Sequence, residues 1–362
     1  MTTRIRTSFA ALIILFLPLA PAAAADHPWQ ITSSDGKHTL VFGMLAQYRA
    51  EWLVRRHAGP ASRDLYLRRF RLIASGNVGE KLTFFVDTDS PNLGKSTAAG
   101  GKVEERIFFQ DVILTYAFRP EVQLDAGLLL VSLSHNSGQG ASSLMAVDYG
   151  PFSFLASEPT GSRFGRDYGV QLRGYLFSEH FEYRAAAFQG YRGPQSTNPL
   201  RYFGRVVWYP FGAETGFFYT GTTLGARRIL AVGSGIDHQM DYTAAAADFF
   251  YDQPLGNGDV LTVQGAYNRY DGGTTFAQLP PEHVLFLEAG YFNRKSRLGP
   301  FLQLSERRFR DASSDSQSLR IAGLAYWASG HRLNIKLGAG RLRGGSPSDA
   351  WQVVLQGQLF IH

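Results

Sequence analysis

The chain contains no cysteine. That excludes a disulfide framework, a thiolate metal site and a thiol nucleophile. After its first segment, the sequence holds no apolar run long enough for a spanning helix, which takes about 18 residues. No His-x-x-x-His or Asp-x-Asp-x-Asp-Gly spacing occurs, so no metal ligands are assigned. The phosphate-loop signature and the Gly-x-Ser-x-Gly elbow are absent too. Ser132-Leu133-Ser134-His135 puts serine beside histidine, but neighbours in a loop are poor evidence for a positioned catalytic pair. No catalytic residue and no cofactor is therefore expected, and a barrel hydrolase stays a remote alternative. The basic residues are spread along the chain rather than gathered in one stripe, which argues against nucleic acid.

What is present begins with an export signal. Arg4 and Arg6 form a basic region, Phe9 to Leu19 an apolar one, and Ala23-Ala24-Ala25 a small-residue cleavage site. Residues 1–25 are thus expected to leave, and the mature chain to start at Asp26. An exported chain without a helical anchor is either soluble or an outer-membrane barrel, whose strands are only half apolar. The 39 Gly, 17 Tyr and 27 Phe suit tight turns and aromatic girdles. The net charge is +6, and only six of the 36 basic residues are lysine. Arginine carries a planar fork that fits phosphate and carboxylate oxygens. That bias favours an anionic partner; a codon bias toward arginine is the plainer explanation.

Leu65-Tyr66-Leu67-Arg68-Arg69-Phe70-Arg71-Leu72-Ile73 reads as a strand. Alternation puts Phe70, Leu72 and Ala74 on one face, and Arg69 and Arg71 on the other. Arg68 falls on the apolar side near the strand start, where a long side chain can reach a polar boundary. A greasy face backed by a guanidinium face suits a wall between lipid and water. Similar segments cover 38–56, 63–76, 81–89, 106–118, 122–133, 165–177, 181–189 and 200–209. They continue over 226–236, 241–252, 260–270, 283–294, 300–310, 317–328, 331–342 and 350–362. Residues 216–223 could be a further strand, but single-chain bacterial barrels have even numbers, so sixteen is the expectation. Connections after odd segments are mostly longer than those after even ones, as outer loops and periplasmic turns are. This leaves 210–225 as an unusually long periplasmic connection. The longest irregular stretch, 134–164, is rich enough in apolar residues to fold back and pack.

The expected fold is therefore all-β, a transmembrane antiparallel barrel over residues 26–362 with inward-folded loops. On parity, the lumen wall holds Arg49, Arg69, Arg71, Arg173, Arg184, Arg201, Arg205, Arg307, Arg332 and Lys336. Glu51, Asp87, Asp89, Asp111 and Glu182 share that interior. Cations lining a water-filled pore bind and pass anions. A mixed-charge lumen without strong selectivity, a general diffusion channel, is the alternative.

Tyr66-Leu67-Arg68-Arg69-Phe70-Arg71-Leu72, Arg166-Asp167-Tyr168-Gly169-Val170-Gln171-Leu172-Arg173-Gly174 and Arg205-Val206-Val207-Trp208-Tyr209-Pro210 together resemble the phosphate- and polyphosphate-selective porins of Gram-negative outer membranes. Leu230-Ala231-Val232-Gly233-Ser234-Gly235-Ile236-Asp237 and Gly299-Pro300-Phe301 extend the resemblance over most of residues 26–362. It implies a trimeric sixteen-stranded barrel in outer-membrane lipid, with inward loops that narrow the pore. It also implies passive diffusion of small hydrophilic solutes, with phosphate or polyphosphate among the preferred anions and arginines along their path. The doublet Arg68 and Arg69 matches the family's strand motif. The chain departs from the family at its end, Phe360-Ile361-His362, where an aromatic last residue is usual.

Overall fold

The computed structural model describes residues 29–55, 61–104, 106–311, 315–344 and 349–362; the expected signal, 1–25, lies outside them. A short strand β1 (Gln30–Thr32) precedes β2 (His38–Arg55), β3 (Ser62–Val78), β4 (Leu82–Asp89), β5 (Phe108–Arg119) and β6 (Val122–Leu130). Then come β7 (Arg166–Leu176), β8 (Phe181–Phe188), β9 (Arg201–Trp208), β10 (Ile229–Gln239), β11 (Tyr242–Pro254) and β12 (Val260–Asp271). The last five are β13 (Glu282–Phe292), β14 (Leu298–Phe309), β15 (Gln317–His331), β16 (Leu333–Arg343) and β17 (Ala350–Ile361).

Strands β2 to β17 each pair antiparallel with their neighbours, and β17 pairs with β2. Sixteen strands thus form a closed ring, as expected, in which each strand is paired on both sides. β1 lies along β2 at Thr39 to Val41, beyond the point where β17 leaves it at Met44. Among the described residues, the one α-helix, α1 (His135–Gly138), is four residues long.

Alternation decides the two faces. Leu65, Leu72, Ile236, Leu285, Leu302 and Trp351 are exposed on the outside. Gln47, Arg49, Arg71, Gln171, Glu288 and Gln356 are buried within. A soluble sheet has the opposite arrangement, so this exterior is built for lipid. Exposed aromatics lie near both ends: Tyr116, Phe118, Phe177 and Trp208 at the tight-turn end, and Phe109, Tyr168, Tyr202 and Tyr267 at the long-loop end. The tyrosines and the tryptophan, with an apolar ring and a polar tip, suit the lipid–water boundary.

Two connections enter the barrel. Residues 131–165, from the long-loop end, bury Met145, Ala146 and Val147 against Phe301, Ile321, Trp327 and Val354. An irregular buried segment must find partners for its backbone. Here the inward wall supplies them. Gln358 Nε2 donates to Ser142 O at 2.8 Å, Gln303 Nε2 to Asp148 O at 2.9 Å, and Arg49 Nη2 to Val147 O at 3.0 Å. Lys336 Nζ donates to the carbonyls of Leu144 and Ala146.

Residues 209–228, from the tight-turn end, come up to meet them. They form no strand, which removes the candidate at 216–223. Tyr219 instead makes a single parallel bridge to Gln139. Tyr219 N donates to Gly138 O at 2.9 Å, and Gly140 N to Tyr219 O at 2.9 Å. Gly138 permits this approach, because a Cβ there would lie 2.5 Å from the Tyr219 ring. Tyr219, Glu214 and Thr222 are buried. The two segments fill the middle of the lumen together.

Candidate functional site

At the long-loop end a cavity of about 930 Å³ stays open above the inserted segments. Arg49, Arg68, Arg69, Arg71 and Arg166 line one arc of it, over β2 to β7. Alternation sends Arg49, Arg69 and Arg71 inward. Arg68 corrects the parity reading. The β2–β3 register pairs Gln47 with Arg69 but Tyr48 with Leu67, so Arg68 is an extra residue, a β-bulge. A bulge re-aims a side chain, and Arg68 turns to the cavity instead of the lipid. Residues 90–93 support this backbone: Leu67 N donates to Leu93 O, and Asn92 N to Arg68 O.

The loop contributes Asp148. Its carboxylate accepts from Arg49 Nη2 at 2.9 Å, Arg68 Nε at 2.7 Å and Arg69 Nη2 at 2.6 Å. Burial opposes its charge, but Arg68, Arg69 and Arg49 outweigh burial and hold it well below the usual carboxylate range. Asp148 therefore stays ionised at neutral pH, one negative charge among three positive ones.

The other inward arginines have carboxylates of their own. Arg71 pairs with Asp87 and Asp89 at 3.0 Å each, and Arg166 with Asp111 at 3.1 Å. Arg173 pairs with Asp125 at 2.8 Å, and Arg184 with Glu182 at 2.6 Å. Arg201 takes Asp237 at 2.5 Å and Asp167 at 3.2 Å. Arg205 takes Asp248 at 2.7 Å, and Arg307 takes Glu282 at 2.6 Å. Buried charges persist only when paired, and these pairs leave little net field.

The expected anion path thus divides. Arg49, Arg68, Arg69 and Arg71 come together at the cavity. Arg173, Arg201 and Arg205 are inward, as alternation requires, but away from it and neutralised. Lys336 is spent on loop carbonyls. Arg332 is exposed in the turn between β15 and β16, because β16 begins only at Leu333; it is not lumen wall. Asp148, Arg166, Lys95 and Arg163 also line the cavity and were not among the expected residues. Arg166 stood in one of the resemblance motifs, and Asp148 lies in an aperiodic loop with no signal. His135 Nε2 meets Glu214 at 2.8 Å and its ring stacks on Tyr219 and Phe250. Ser134 and Ser137 bond to each other at 3.3 Å and Ser132 accepts from Arg184, so among the described residues none of these serines is paired with His135.

Removing Arg205 should be costly without bearing on selectivity. Arg205→Ala strands a buried Asp248, a loss of about 3–5 kcal/mol. Arg205→Met with Asp248→Leu removes both charges and should restore most of the stability, with reversal potential unchanged. Thermal unfolding of the refolded barrel measures the first, and bilayer recording the second.

No curated protein matches the chain by sequence. Residues 55–229 match the family described as phosphate-selective porin O and P, so the resemblance read from the sequence is borne out there. Solved structures share the fold at low identity. An anion-selective porin from Comamonas acidovorans is 10% identical with a TM-score of 0.57, covering 90% of this chain and 100% of its own. The outer membrane channel DcaP of Acinetobacter baumannii is 10% identical, TM-score 0.56, covering 91% and 99%. OmpT of Vibrio cholerae, in trimer form, is 11% identical, TM-score 0.54, covering 90% and 99%. The chain shares the β-barrel fold of these outer-membrane proteins.

Proposed function

We propose that this chain is an outer-membrane channel that prefers small anions, and that the arginine-lined cavity is their outer entry. One observation carries the reading. Three guanidiniums share the single carboxylate of Asp148, whereas each other buried inward arginine of the wall has at least one carboxylate to itself. The uncompensated charge sits where a solute enters, between low-dielectric walls that concentrate its field. Phosphate and polyphosphate fit the donors, because a guanidinium offers parallel N–H groups to two oxygens. Multi-site conduction needs each contact to be weak, and a carboxylate already sharing the guanidiniums keeps it so. Assembly as a homotrimer in the outer membrane belongs to the same proposal, by analogy with the trimeric neighbour.

The test is the reversal potential of the refolded protein in a salt gradient across a planar bilayer. Wild type should favour chloride. Asp148→Asn should favour it further and strengthen block by phosphate, since one negative charge is lost. The loop should stay docked through Lys336, Gln303, Gln356 and Gln358. Unchanged reversal potential and block in Asp148→Asn would leave a general, weakly selective porin as the better description.

A further inference from the structure

The cavity has a second arc of a different kind. Leu319 and Ile321 of β15, Leu342 of β16 and Val354 of β17 line it, adjoining the arginines of β2 and β3 around the ring. Barrel strands ordinarily turn polar residues to the lumen. β15 reverses this: Leu319 and Ile321 are buried inside, while Arg320 between them is exposed outside. The loop extends the apolar surface with Phe154 and Leu155, both only partly buried. On the cationic arc, Arg68 donates among the described residues only through Nε, to Asp148, and its side chain keeps 19% of its exposure. Among the described residues its two terminal nitrogens have no partner, so they can face an incoming ligand.

An inorganic anion gains nothing from apolar wall and is poorly served by losing water against it. A molecule with a charged head and a hydrocarbon body gains from both arcs. The volume also suits an organic solute, since small-molecule pockets run from roughly 300 to 1,000 Å³. We propose that this cavity selects organic acids with an apolar body, their carboxylate on Arg68 and Arg69 and their hydrocarbon on Leu319, Leu342 and the loop's Phe154 and Leu155. The inference rests on the channel reading above and names the solute class of the same site.

The experiment is block of chloride current through the wild-type protein by acetate, butanoate, hexanoate and benzoate at neutral pH, with inorganic phosphate alongside. Each methylene that reaches the apolar arc should tighten block about threefold to fourfold, so hexanoate and benzoate should block far better than acetate or phosphate. Leu319→Gln with Leu342→Gln should flatten that series, and Arg68→Ala should weaken every acid in it. The wild-type series stands by itself should the variants misassemble. Equal block by acetate and hexanoate overturns the proposal. So does a chain-length series that persists in Leu319→Gln with Leu342→Gln, because the lipid would then be its source. Failure of the channel reading looks different: a reversal potential favouring cations, with no block by any acid or by phosphate.

Discussion

Replacing residues 212–227 with two glycines should raise single-channel conductance several-fold while leaving the sign of selectivity intact. Those residues carry Tyr219, Glu214 and Phe217 into the lumen, where they meet the loop from the other end. The flanks touch through their side chains, the Arg228 guanidinium carbon lying 3.6 Å from the Phe211 ring centre. Strands β9 and β10 pair up to Trp208 and Val232 without help from the segment. Closing this gap needs only a short turn, as at the other tight-turn connections, which span a handful of residues. The wall survives the deletion because Arg184 and Arg205 lose Phe217 O and Tyr219 Oη but keep Glu182 and Asp248. The cavity lies at the other end, so its charge is untouched. Conductance equal to wild type in a properly inserted barrel would mean that ions do not pass through the space this segment fills.

The strands were legible in the sequence because a barrel wall repeats one rule. Every segment alternates lipid-facing and inward side chains, and a period of two survives any chemistry on the inward face. The inserted parts obey no period. Residues 210–225 could be recognised as too long for a turn, but not as a lumen filler. Asp148 and the carbonyls held by Gln303, Gln356 and Lys336 depend on where the loop lies in three dimensions. Arg68 failed for a sharper reason: one extra residue in β3 shifts the register, and no local pattern marks it. Arg173, Arg201 and Arg205 were placed on the correct face. Their neutral character was hidden, because Asp125 and Asp237 lie on neighbouring strands and Asp248 lies two strands from Arg205, across β10, so they meet only once the strands pair.

Arg68→Ala with Arg69→Ala should move the reversal potential toward cations and abolish most phosphate block. Two of the three guanidiniums around Asp148 disappear, so an uncompensated positive cluster becomes a single pair with Arg49. The same change weakens the anchor of the loop. Breaking a partly buried pair leaves a carboxylate short of partners, which costs up to about 3–5 kcal/mol when burial is complete; at 21% exposure of Asp148 the cost is smaller. Noisier open-channel current is therefore expected beside the altered selectivity. Two further variants separate the causes. Lysine at both positions keeps the charge but not the planar fork, so chloride preference should survive better than phosphate block. Adding Asp148→Asn to the double alanine variant removes the stranded carboxylate, so reversal potential should return part of the way toward wild type. These residues touch one another, and their effects should be non-additive, with the triple variant nearer wild type than the sum of its parts. If the double alanine variant inserts correctly and keeps both wild-type reversal potential and wild-type phosphate block, the bulged doublet does not set selectivity. The neutralised arginines further along the wall would then have to carry it, against their pairing.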